Sequence, residues 1–188
     1  MLMTDRDPYL EPSAGEQPDP LGLTPLPVDN RQRFLRFTLA QKDDMLLPLA
    51  QILEVMQRSL EDIFPVPDMP DCMLGVCSWQ GETLWLVDLN HMVGHAPLYQ
   101  QSQLVNPPFV IVVQSADRAL GLVVEQVGDV DLFDESKIHV EQGLCLPSLE
   151  PFVLGYCPQQ GGIVLDASAI LNSPLWQSHA SEAAEESP

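Results

Sequence analysis

The feature that most narrows the fold is the shortness of the apolar stretches. Between residues 31 and 177 they come in runs of five to eight, each stopping near Gly, Pro, Asp or Asn. Ten of these read as strands: 34–39, 44–49, 52–57, 73–79, 83–88, 109–114, 119–126, 127–133, 152–157 and 162–166. Leu35, Phe37 and Leu39 face one way, with Arg36 and Thr38 opposite. That is the period-two pattern of a half-buried strand. Phe109, Val110, Ile111, Val112 and Val113 are apolar on both faces, as a fully buried strand requires. Helical signals are brief. Asp88 opens 89–93 with Gly94 as a stop, and Asp166 opens 167–171. A carboxylate at a helix start accepts hydrogen bonds from free backbone N–H groups, so both have a physical cause. Many short strands separated by turns favour an all-β barrel or sandwich over an α/β sheet.

Charge excludes some functions. The 188-residue chain carries 27 Asp and Glu against 8 Lys and Arg, a formal charge of -19. Nucleic-acid binders neutralise phosphates with clustered bases, and anionic lipid surfaces attract basic patches; this chain has the opposite field. No apolar run reaches the roughly 18–20 residues of a bilayer span, and the first residues lack a signal-peptide pattern. Residues 1–30 hold six acids, one base and six prolines, and read as a disordered leader. Residues 178–188 hold three Glu and no base, and read as a solvated tail. The folded region, 31–177, keeps 18 acids against 7 bases, a net of -11. Cys72, Cys77, Cys145 and Cys157 form no Cys-x-x-Cys pair and suit reduced thiols in a cytoplasmic protein.

One internal echo stands out. Gly75-Val76-Cys77-Ser78-Trp79-Gln80-Gly81 matches Gly155-Tyr156-Cys157-Pro158-Gln159-Gln160-Gly161 at four of seven positions. Each is followed by a strand, an Asp (Asp88, Asp166) and a short helical stretch. Turn chemistry recurs by chance, which is the plain reading. The sharper one is two related half-barrels of about five strands each.

At these residues the sequence resembles the CheW-like adaptors of bacterial chemosensory systems. Their usual signature is a Gly-Val-x-Asn-Leu/Trp-Arg-Gly turn, then a hydrophobic strand ending in Asp-Leu. Here the run extends from Gly75-Val76-Cys77-Ser78-Trp79-Gln80-Gly81-Glu82 to Val87-Asp88-Leu89. Upstream, Met45-Leu46-Leu47-Pro48-Leu49 and Ile52-Leu53-Glu54-Val55 match the family's apolar–Pro–Leu and Val–x–Glu–apolar stretches. Phe64-Pro65-Val66-Pro67 fits as well. Trp79-Gln80-Gly81-Glu82 and the ending Ser173-Pro174-Leu175-Trp176 look like the branch found in photosynthetic bacteria with pilus-driven motility. The resemblance implies an all-β fold of two intertwined five-stranded SH3-like β-barrel subdomains with short helices around a shared apolar seam. It implies a non-enzymatic adaptor, without cofactors, in the cytoplasm at membrane-associated receptor arrays. Its partners would be a CheA-type histidine kinase and the cytoplasmic tip of a methyl-accepting chemoreceptor.

The resemblance also implies partner-binding residues: Ile52, Glu54, Ser78, Trp79, Gln80, Gly81 and Glu82. Two depart from the family pattern, whose Asn is Ser78 and whose Arg is Gln80. A guanidinium can grip a carboxylate with two charge-assisted hydrogen bonds, and a neutral amide cannot. The exchange costs on the order of a few kcal/mol in a dry site and close to nothing in a wet one. We expect Glu54 to accept from Gln80 or to turn to Arg58. Loss of the Arg also admits a variant role, an adaptor that binds kinase without coupling the receptor.

Other chemistry reads plainly. Cys77 lies mid-strand in an apolar run, Ser78 has no Gly-x-Ser-x-Gly elbow, and no phosphate-binding glycine motif is present. His91 and His95 have the spacing of two zinc ligands on a helix but no evident third ligand, so no metal is expected. Asp129 and Asp131 read as the wet face of a strand whose Val130 and Leu132 point inward. A small β-barrel ligand binder or enzyme is the reading from another class, and it needs a deep pocket with converging titratable groups. Trp79 and Trp85 suit either a core or an interface.

Overall fold

A computed structural model describes residues 29–39, 43–100, 106–115, 118–140 and 147–176, together with Gly143 and Cys145. Residues 1–28 of the expected leader lie outside the described residues, as do 177–188, which include the expected tail. All ten expected strands form. They are β1 (Arg31–Leu39), β2 (Asp43–Pro48), β3 (Ile52–Gln57), β4 (Met73–Trp79), β5 (Glu82–Asp88), β6 (Phe109–Ser115), β7 (Arg118–Val124), β8 (Gln126–Asp134), β9 (Val153–Cys157) and β10 (Gly162–Leu165). Two short helices follow β5 and β10, namely α1 (Leu89–Met92) and α2 (Ala167–Leu171). Asp88 caps the first by accepting from the His91 N–H at 3.1 Å. Asp166 caps the second by accepting from the Ser168 N–H at 2.8 Å.

The strands make two sheets of five, ordered β8-β1-β2-β10-β9 and β3-β6-β7-β5-β4. Shifting every strand number by five converts one order into the other. The first half of the chain, β1–β5, gives two strands to one sheet and three to the other, and the second half does the reverse. The two subdomains are therefore intertwined, and the echo in the sequence marks the equivalent hairpins β4–β5 and β9–β10. In both halves the hairpin's last strand pairs in parallel with a strand of the other half: β5 with β7, and β10 with β2. Gly75 and Gly155 also correspond. Each has positive φ, and each lies against a backbone carbonyl, Phe64 for Gly75 and His139 for Gly155. Those carbonyls belong to the short bridges Phe64–Val76 and His139–Tyr156. A side chain at either glycine would displace its bridge.

Three apolar clusters hold the arrangement. One is the seam between the sheets, built from the alternate residues Leu35, Phe37 and Leu39 of β1, Ile111 and Val113 of β6, and the buried faces of α1 and α2. A second fills the β3–β7 sheet, with Val110, Val112, Leu84, Leu86 and Cys77. A third fills the other sheet around Phe34 and Phe133, stacked at 4.0 Å. This explains why β6 is apolar on both faces: its even residues enter one cluster and its odd residues another. The seam is also stitched by Gln51, whose amide accepts from the Ala167 N–H at 3.0 Å and donates to Asp166 at 3.2 Å.

One expectation is corrected. On β8 the exposed apolar residues are Val130 (49%) and Leu132 (42%), while Asp131 and Phe133 point inward. Asp129 is exposed as expected, but from Val130 onward the faces are the reverse of the expected ones. Arg36, across the sheet, donates to Asp131 at 2.6 Å and to Asp44 at 2.9 Å. That counter-charge admits a carboxylate to the inner face.

Candidate functional site

β3 and β4 are the two edges of their sheet and share no ladder. The sheet curls until these edges face each other, and side chains span the opening. Period two puts Glu54 and Met56 on one face of β3, opposite Leu53 and Val55. The residues Gln80 and Gly81 join β4 to β5, with φ of 53° and 84°. Positive φ at both central residues is the requirement of a type I′ hairpin, whose twist matches that of the strands. The turn carries Trp79 and Gln80 towards β3.

There the Trp79 indole N–H donates to Glu54 Oε2 at 2.8 Å, and Gln80 Nε2 donates to the same oxygen at 3.3 Å. The expected Glu54–Gln80 contact is present. The shorter indole bond was not expected; a Trp beside a turn gives no sequence signal for the direction of its N–H. Arg58 does not reach Glu54. Its Nη2 lies 3.5 Å from the Ser78 carbonyl oxygen, further along the opening. Glu54 is half-buried and Gln80 exposed, so the site is open to water. The loss of the family's Arg therefore falls near the low end of the range given above.

The remaining candidates are placed as follows. Ser78, Gly81 and Glu82 are exposed on the hairpin, with Glu82 opposite Trp79. Trp79 packs on the second cluster and Trp85 on the seam. Ile52 is not part of this constellation: a register shift between Ile52 and Glu54 turns its side chain into the seam. Sequence reasoning passed over Leu53 and Val55, which are 51% and 37% exposed. Their apolar character beside a polar opening was the available signal.

Electrostatics disfavour a nucleophile. Burial pushes the Cys77 thiol above its ordinary pKa, the opposite of what an attacking thiolate needs. His91 Nδ1 lies 3.0 Å from the Asp71 carbonyl oxygen. No group of three or more metal-ligating side chains occurs among the described residues. No helix among them is long and apolar enough to cross a membrane.

Comparison with known proteins agrees with this architecture. The scaffolding protein TtCheW from Thermoanaerobacter tengcongensis, known from a crystal structure, superposes with a TM-score of 0.59 at 20% identity, over 71% of this chain and 86% of that one. Comparison with curated proteins returned no match. The family described as the CheW-like domain matches residues 33–175. With two exchanged five-stranded sheets and that match across nearly all of the described region, the chain belongs to the CheW-like domain family.

Proposed function

We propose that this chain is a non-enzymatic chemotaxis adaptor, coupling the cytoplasmic tips of chemoreceptors to a CheA-type histidine kinase at membrane-associated arrays in the cytoplasm. The pathway is a motility one, of the phototaxis or type IV pilus kind that the Trp79–Glu82 wording resembles. The observation that carries this reading is the opening between β3 and β4. There Glu54, Trp79 and Gln80 meet on a family fold built to hold two surfaces in fixed relation. Ser78, Gly81 and Glu82 on the hairpin extend the same surface, and Ile52 supports β3 from the seam side. An adaptor works by display: a rigid pair of subdomains lets a displacement at one partner be felt by the other.

A second reading has its own observation. Gln80 is neutral where the family keeps a cation, which suits a chain that holds the kinase without coupling the receptor. Pull-down with a receptor tip and a kinase regulatory domain separates the two. Capture of both supports the coupler, and capture of kinase alone supports the brake. Capture of neither sinks both.

A further inference from the structure

The carboxylate of Glu54 has no ion-pair partner among the described residues. Both of its donors are neutral, and both use Oε2. Among the described residues the ion pairs are Arg31–Asp29, Arg36–Asp44 and Arg36–Asp131, and none reaches Glu54. Arg58, just past the end of β3, is turned to the Ser78 carbonyl. Glu82, on the β4–β5 hairpin across the opening, adds a second acid. Leu53 and Val55, exposed on the opposite face of the edge strand β3, point away from the opening. The equivalent opening in the other sheet differs. There Arg36 pairs with two carboxylates and also donates to the Gln160 carbonyl of the matching hairpin at 2.8 Å. One opening holds a cation of its own, and the other presents a carboxylate whose recorded donors are both neutral.

We infer that the partner seated at the β3–β4 opening supplies the missing cation: a Lys or Arg side chain of the receptor tip, reaching Glu54 Oε1. This rests on the receptor-facing reading above. Charge complementarity selects this occupant. Glu54 already has two hydrogen-bond donors, so another neutral donor adds little, whereas a cation gains a charge-assisted bond in a half-buried place. An acidic partner group would meet Glu54 and Glu82 with like charge. A cation supplied in cis should then compete with the one supplied in trans.

The test is calorimetric titration of the full chain with a purified receptor tip at low and at moderate salt. The variants are Gln80→Arg, which restores an internal cation, and Glu54→Gln, which removes the charge while keeping an acceptor for Trp79. Gln80 is exposed and its backbone angle is no harder for Arg than for Gln, so folding is expected to survive; thermal unfolding verifies it. Roughly tenfold weaker binding by both variants, with a shallower salt dependence, is the expected result. Tighter binding by Gln80→Arg would overturn the inference while leaving the opening as the contact surface. Unchanged affinity in both variants removes the opening from the contact altogether. Failure of the native chain to bind the tip overturns the inference together with the reading beneath it.

Discussion

A single indole N–H fixes how the carboxylate of Glu54 is presented. Trp79→Phe keeps the ring packed on its cluster and removes only that donor. We expect a loss of about 1 kcal/mol in urea unfolding, the usual net value of one such bond. Asp88 is a different case. It is fully buried, and its carboxylate accepts from the Leu98 N–H at 2.7 Å as well as from His91. Burial raises its pKa above the ordinary 3.8, and the backbone hydrogen bonds only partly offset this. A raised carboxyl pKa means that the folded state holds its proton longer than the unfolded chain does. The stability it contributes is full below the unfolded value and is lost as pH rises through the folded one. Asp88→Asn does not titrate, so the difference in urea midpoint between native chain and variant should change across that window and level off above it. A variant whose pH profile parallels the native one contradicts this. Gly75 and Gly81 make a third comparison. Both have positive φ, but only at Gly75 does an added Cβ run into backbone, that of Phe64 and Pro65. Gly81→Ala should cost about 1 kcal/mol from backbone conformation alone. Gly75→Ala should cost clearly more and split the Phe64–Val76 bridge, which hydrogen exchange at those amides reads directly.

At the scale of elements, the connections between strands carry much of the specification. The β4–β5 turn places an L-residue, Gln80, at φ 53°. Asn adopts this conformation more readily, so Gln80→Asn should gain a few tenths of a kcal/mol in thermal unfolding while losing reach towards Glu54. Gln51 ties the start of α2 to the β2–β3 connection across 115 residues of sequence. Gln51→Ala should therefore cost about 1 kcal/mol by removing a cap and a stitch together. The elements themselves were legible because their causes are local: alternation, turn residues and Asp caps lie within a few positions of what they control. The face of β8 was not legible, because it depends on Arg36, 95 residues away. Likewise, Glu54 and Gln80 could be brought together only through the family resemblance, and the direction of the Trp79 N–H could not be read at all.

For the whole molecule, neither half owns a sheet. Separately expressed halves, divided between residues 100 and 106, should each fail to show a cooperative unfolding transition, since each lacks partners for its parallel pairings. Mixing the two should restore the transition; a half that melts cooperatively alone would contradict the interlocked order. Arg36→Leu attacks the same interlock at one point, leaving Asp131 and Asp44 uncompensated on the inner side of the β8–β1 sheet. The pair is only partly shielded from water, so a loss of about 2 kcal/mol is expected, less than for a fully buried pair.

An interlock of this kind has the form of a strand-swapped pair carried in one chain, each half completing the other's sheet. Its two openings are equivalent by topology yet differ in charge, with Arg36 filling one and Glu54 lining the other, so the chain has a front and a back.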